Sequence, residues 1–186
     1  MIIVAINGKM GSGKGELTKA LSQAFRVRKL SFSTPIKETI KLMDKNAPKD
    51  LDLQENKNKY SELYRTTYRV VMQSLGDMHR NVFGKDFFVN QLERKIQDIG
   101  EATIKDQYDI IVVDDVRYLN EIERLEGLGA ISVRIEVDKT GTAREHQHSS
   151  EVSLDNYKYF QYRLLNDMSP MSELAAPIIK EIKARL

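Results

Sequence analysis

A chain of 186 residues, 41% of them hydrophobic, can bury one good core, so it is read as a single domain with room for a small insert. Charged side chains make up 30% and the formal net charge is only +2, which excludes a general nucleic-acid binder with one dominant basic face. There is no cysteine, hence no disulfide framework or thiolate metal site, and no apolar run approaches the roughly 18 residues that a membrane helix needs.

Met1 to Ile6 is apolar but lacks the basic flank and long apolar stretch of a signal peptide, so an intracellular, cytoplasmic protein is expected. Bounded by Asn7-Gly8, this run reads as a buried strand. Lys14 to Phe25 then sets Leu17, Ala20, Leu21 and Ala24 at helical spacing. A short strand is expected around Leu30 to Phe32, and Pro35, preceded by Ser33-Thr34, starts a helix to Met43. Asp44 to Asn58 is polar, contains Pro48 and reads as a loop. Two helices should follow, Tyr60 to about Val82 and Asp86 to Ile99, with Gly84 between them. Within the first, Tyr60, Tyr64 and Tyr68 recur at i, i+4 and i+8, a helix-packing pattern.

Asp109 to Val113 is a second β-branched run, ending in Asp114-Asp115. A helix through Asn120 to Leu128 stops at Gly127-Leu128-Gly129, and Ile131 to Val137 is another strand. Lys139 to Asn156 is loop-like, Arg163 to Leu165 is a last short strand, and Ser169-Pro170 caps a closing helix. Strands alternating with helices predict an α/β fold with a parallel sheet covered on both faces. Ligands of such sheets bind beyond the carboxyl ends of the strands. The chemistry-bearing segments Gly8 to Lys14, Ser33 to Lys37 and Asp114 to Arg117 all fall there.

Gly8-Lys9-Met10-Gly11-Ser12-Gly13-Lys14 fits the Gly-x4-Gly-Lys core of a Walker A phosphate loop. Glycines let the backbone curl so that its N–H groups face phosphate oxygens, the next helix presents its positive end, and Lys14 adds a full charge. Gly15 departs from the pattern, standing where Ser or Thr usually ligates Mg2+. Either a carboxylate and water hold the metal, or Ser12 or Thr18 helps. Ile110 to Asp115 resembles a Walker B strand, whose carboxylate reaches Mg2+ directly or through water. Asp115, followed by Val116-Arg117, is the expected metal residue; Asp114 is either a second ligand or a turn cap.

Phosphoryl transfer needs positive charge around the migrating group, and arginine can fork onto phosphate. Arg65, Arg69, Arg80, Arg117 and Arg144 are the candidates, lying in segments between strand ends. His146 and His148 form a His-x-His pair without a third zinc ligand at convincing spacing, so a solvated loop or a phosphate contact is the reading there.

Taken together, Ser12-Gly13-Lys14, Pro35-Ile36-Lys37, Arg69 with Met72 to Gly76, Asp115-Val116-Arg117, Ser150-Glu151 and Asn166-Asp167 resemble the phage-type deoxynucleoside monophosphate kinases of the nucleoside monophosphate kinase superfamily. The likeness runs collinearly over most of the chain. That family commonly carries an acidic residue after the P-loop lysine, so Gly15 departs from its habit as well. The resemblance implies a P-loop kinase of three α/β/α layers on a five-stranded parallel sheet. Its core would be residues 1–32, 100–138 and 157–186, with an acceptor-binding helical segment at 33–99 and a lid at 139–156. It implies ATP and Mg2+ as cofactors and transfer of the γ-phosphate to a nucleoside monophosphate. Residues 8–15 would hold ATP and Asp115 the metal. Lys37, Arg69, Arg80 and Arg117 would hold the acceptor phosphate, Gln73 would read its base, and Arg144 would be a lid arginine. Asn166 would lie beside the donor adenine.

Phosphomevalonate kinases resemble the chain in many of the same places, with Glu151 and Leu154-Asp155-Asn156 added. Met72-Gln73-Ser74-Leu75-Gly76 favours the nucleotide acceptor. A P-loop module that binds ATP without a small acceptor is the non-enzymatic alternative. Expected partners are small-molecule nucleotides, with no nucleic acid and no membrane; the host cytoplasm would be the location if the chain is phage-encoded, and a homodimer is compatible with the sequence.

Overall fold

The computed structural model describes residues 1–101, 108–137 and 148–186, in two compact units: Met1–Ser31 with Leu92–Leu186, and Phe32–Gln91. In the first unit, β1 (Ile2–Gly8) is buried along its whole length. After the loop that follows it, α1 (Lys14–Ala24) buries Leu17, Ala20 and Leu21 on one face, and β2 (Val27–Leu30) runs at the sheet edge. The second unit opens with α2 (Thr34–Met43), which carries Pro35 in its first turn, where the missing N–H has no helical partner to lose. It continues with α3 (Gln54–Lys57), the hairpin of β3 (Tyr60–Ser61) and β4 (Thr66–Thr67), and α4 (Tyr68–Phe83). The chain returns to the first unit along α5 (Phe87–Glu101). Then come β5 (Ile110–Val113), α6 (Leu119–Gly127), β6 (Ile131–Val137), α7 (Ser149–Val152), β7 (Tyr162–Asn166), α8 (Met171–Leu174) and α9 (Ala176–Arg185).

Five strands make one parallel sheet in the order β2-β5-β1-β6-β7. β1 lies at its centre, with Ile2 opposite Ile110 on one side and Gly8 opposite Ile135 on the other. Alternate residues point to opposite faces. Ile2, Val4 and Ile6 join Ile110, Val112, Ile131, Val133 and Ile135 against Leu17, Leu21, Ile178 and Ile182 of α1 and α9. On the opposite face α6 packs on β1 and β6, burying Ile122 and Leu125. The fold is therefore an α/β sandwich on a parallel sheet, as the alternation of elements predicts, with the five strands that the family resemblance implies. Among the described residues no helix is long and apolar enough to cross a membrane.

Two expectations for residues 44–82 are corrected. The expected loop over Asp44 to Asn58 contains α3, and the single helix from Tyr60 is instead a hairpin followed by a helix from Tyr68. The Thr67 hydroxyl accepts from Val70 N and starts α4 there, while Arg65 (φ 54°) reverses the chain in a left-handed conformation. Tyr60, Tyr64 and Tyr68 therefore share no helix face. The last stretch also differs: one closing helix becomes α8 and α9.

Asp44, buried just beyond α2, organises this region. Its carboxylate accepts from Ser61 Oγ at 2.7 Å, Tyr68 Oη at 2.7 Å and Asn46 N at 2.9 Å. The Ser61 bond, and then the Tyr68 bond, hold its carboxyl below the usual range, against the desolvation that favours the neutral acid. A carboxyl lowered on folding adds stability above its unfolded value near about 4, and that contribution is lost as pH falls through the folded value. Asp44→Asn is therefore expected to lower the denaturant midpoint at pH 7. The gap from wild type should narrow on acidification below about pH 4. Urea unfolding at both pH values measures it.

Candidate functional site

The loop between β1 and α1 depends on three glycines for different reasons. A Cβ on Gly8 would overlap Ser12 Oγ and lie 2.9 Å from Ile135 O. Gly11 (φ 76°) and Gly13 (φ 101°) adopt conformations that L side chains strain to reach. A Cβ on Gly13 would also meet Asn166 Nδ2 at 2.8 Å and Met171 Cε at 2.9 Å. The turn closes through Ser12 N donating to Lys9 O at 3.1 Å. No side chain caps α1 at Gly13, so the first N–H groups of that helix are left to water or a ligand.

Lys14 curls over the same loop, its Nζ donating to Gly8 O at 2.6 Å and Lys9 O at 2.9 Å. The buried Ser12 hydroxyl has no hydrogen-bond partner among the described residues. Leaving such a group unsatisfied costs about 1–3 kcal/mol, a cost that a ligand oxygen would remove. Uncapped N–H groups, an ammonium and an orphaned hydroxyl in seven residues form a donor set suited to a polyphosphate. Gly15 is exposed, with nothing within 4 Å of a Cβ built there, so packing does not exclude Ser or Thr at that position. The Thr18 hydroxyl donates to Lys14 O at 3.1 Å within its own helix.

One strand away, β5 ends in the two aspartates. Asp114 Oδ2 pairs with Lys29 Nζ at 2.9 Å, and Asp115 Oδ2 accepts from Ser31 Oγ at 2.6 Å. Both partners come from β2 or the residue after it, because the β2–β5 register sets Leu30 beside Val113. Arg117 follows in the turn to α6, where the buried Glu121 carboxylate accepts from its backbone N at 2.7 Å. Among the described residues no group of three or more carboxylates or histidines could cage a metal. A cation at Asp115 would therefore complete its coordination from a bound anion and water.

Asn166, at the end of β7, donates from Nδ2 to Ser12 O at 3.0 Å and accepts from Met168 N at 3.1 Å. Its amide braces the phosphate loop from the side. The first unit thus brings residues 8–15, Asp114, Asp115, Arg117 and Asn166 to the carboxyl ends of the strands.

The second unit holds the other predicted residues. Lys37 is buried and paired with Asp52 at 2.6 Å. Arg69 donates to two neutral oxygens, Asn58 Oδ1 at 3.0 Å and Gln54 Oε1 at 2.7 Å, and no carboxylate among the described residues pairs with it. Gln73 lies four residues on in α4, half-buried, its amide making no hydrogen bond to the described residues. The Arg80 guanidinium stacks over the Phe88 ring at 4.9 Å. Arg144 and His146 lie outside the described residues, while His148 caps α7 by accepting from Ser150 N at 3.2 Å.

Sequence reading missed Ser31, Lys29 and the contact of buried Asn7 and Arg134 with the more exposed Asp155. Arg134 was visible as a polar residue in the Ser132-Arg134-Glu136 register of β6, but alternation alone assigns such positions to solvent. Here that face is covered at Ser132 and Arg134 and opens to solvent at Glu136.

No family model matches the chain. Over 177 residues, 90% of this chain and 89% of its counterpart, it is 25% identical to an Acanthamoeba polyphaga mimivirus protein named "Putative deoxynucleotide monophosphate kinase". The family likeness read from the motifs thus reappears in a whole-chain comparison. A solved, unliganded sugar kinase from Janibacter sp. HTCC2649 covers 98% of this chain and 95% of its own, at 14% identity and a TM-score of 0.42. A superposition that loose carries no weight for the site.

The glycines make opposite predictions. Gly13→Ala should lower stability by about 1–2 kcal/mol through its left-handed φ alone, and more through the contacts with Asn166 and Met171. Gly15→Ala, inside α1 with open space around it, should raise stability by about 0.5–1 kcal/mol. Denaturant midpoints of the two variants check both signs.

Proposed function

We propose that the protein transfers the γ-phosphate of ATP to a deoxynucleoside monophosphate. The observation that carries this reading is the phosphate loop, with its obligatory glycines, uncapped helix start and orphaned Ser12 hydroxyl, one strand from Asp115. The name of the viral relative supports the acceptor class. So does Arg69, a guanidinium oriented by two amides and not neutralised by a described carboxylate, as a phosphate ligand should be.

ATP would supply the phosphoryl group, and Mg2+, when bound, would neutralise phosphate charge. The loop amides and Lys14 hold those phosphates, and Ser12 donates its otherwise unused hydroxyl. Asp115, kept in place by Ser31, is the residue that would hold the metal, directly or through water. Arg69 binds the acceptor phosphate, with Lys37, Arg80 and Arg117 adding positive charge around it, and Gln73 offers an amide to one base edge. A strong general base is unnecessary, because the attacking phosphate oxygen is already anionic. Positioning and charge stabilisation do the catalysis.

A coupled assay with ATP and a panel of deoxy- and ribonucleoside monophosphates, plus phosphomevalonate, tests the reading. Turnover of phosphomevalonate alone would overturn the nucleotide acceptor, and absence of turnover with every acceptor despite ATP binding would leave a binding module. Lys14→Ala should keep the fold, followed by circular dichroism, and cut turnover by about 10²–10³-fold, the scale of one lost preorganised charge stabiliser.

The acceptor residues separate by chemistry. Arg69→Ala should weaken all monophosphates alike, because each carries the same phosphate. Gln73→Ala should instead reorder the bases, the preferred one losing about 1–3 kcal/mol for a lost buried hydrogen bond, while the KM for ATP stays put. Steady-state kinetics on several bases read this, and a flat Gln73→Ala profile removes the base-reading role.

A further inference from the structure

Asp155 lies in the segment after α7 and is assigned no part in the chemistry above. Its two carboxylate oxygens have different partners. Oδ2 meets Lys9 Nζ at 2.8 Å, and Oδ1 meets Arg134 Nη2 at 2.8 Å. Arg134 is buried in β6, beside β1, and its Nη1 donates to Asn7 Oδ1. Asn7 Nδ2 donates in turn to Val116 O at 2.7 Å, the carbonyl between Asp115 and Arg117. At the other end, the Lys9 carbonyl accepts from both Lys14 Nζ and Ser12 N. One carboxylate is thus joined through Lys9 to the phosphate loop, and through Arg134 and Asn7 to the acidic strand end. Among the described residues the other anion near Arg134 is Glu136, 3.8 Å from Nε, engaged with Arg163 at 2.8 Å and beyond hydrogen-bond reach of Arg134.

The two contacts differ in what they can do. Arg134 is a buried cation, so its pairing with Asp155 offsets a desolvation cost and supports the fold. The Lys9–Asp155 pair is partly exposed on both sides and adds little to stability. Its effect is to hold one residue of the phosphate loop at a fixed place. We infer that Asp155 is a positioning residue that, through Lys9 and Arg134, holds the phosphate loop in register with the Asp115–Arg117 strand end and so sets the affinity for the nucleoside triphosphate. This rests on the nucleotide reading proposed above.

The test is equilibrium binding of a non-hydrolysable ATP analogue with Mg2+, by calorimetry, on the full chain and on Lys9→Met, Asp155→Asn and the double variant. Lys9→Met keeps the Arg134–Asp155 pair and should melt close to wild type. Its analogue affinity should nonetheless drop about fivefold, the upper end of what a partly exposed ion pair contributes. Asp155→Asn should lose a similar factor and also melt earlier. The double variant should bind no worse than the weaker single variant, and the affinity for the monophosphate should be unchanged in all three. Wild-type affinity in Lys9→Met overturns the inference even if Asp155→Asn fails to fold. Losses that multiply in the double variant overturn it too, because Lys9 would then act on the nucleotide independently of Asp155. If the wild type binds no analogue, the ATP reading falls and the inference with it.

Discussion

The complete burial of β1 is the constraint from which the site follows. A central strand covered on both faces and paired on both edges has no place for solvated polar groups except where it ends. Chemistry is therefore confined to Asn7, Gly8 and the turn beyond, and the parallel arrangement brings the ends of β5, β6 and β7 to the same side. The phosphate loop, the two aspartates and Asn166 are neighbours because their strands stop together, not because they are close in sequence.

That arrangement leaves a polar seam in the sheet that must be satisfied internally. Asn7 and Arg134 are buried beside one another, and each reaches an oxygen: Asn7 the Val116 carbonyl, Arg134 the Asn7 amide and the Asp155 carboxylate. Lys9 and Arg134 hold the Asp155 carboxyl below the ordinary range even though desolvation, the largest influence on it, pushes the other way. A buried guanidinium is tolerated only with such partners, and apolar replacements often pack as well. Its presence beside a candidate phosphate site is consistent with a role in arrangement more than in stability.

Much of this was legible in the sequence. The β1 and β6 runs are continuous or alternating apolar stretches with little ambiguity, and the glycine-lysine loop has a backbone reason for nearly every residue. What sequence reading could not supply was pairing at a distance. Ser31 with Asp115, Lys29 with Asp114 and Asp155 with Lys9 are joined across more than eighty residues or by a sheet register that no local pattern encodes. The tyrosine spacing failed for a different reason. Three aromatics at helical intervals were outweighed by one threonine cap and a four-residue turn, local chemistry that a periodicity count ignores.

The order of strands also bears on how the chain is made. β1 emerges first, yet its partners begin at Ile110 and Ile131, more than a hundred residues later. At a synthesis rate of about 5–20 residues per second, that apolar strand waits about 5–20 s with both edges unpaired. β2 cannot dock in the meantime, because its place in the sheet is against β5. A strand buried along its whole length in the finished protein is thus the sheet strand that waits longest for its partners during synthesis, the cost of a sheet assembled from the middle outward.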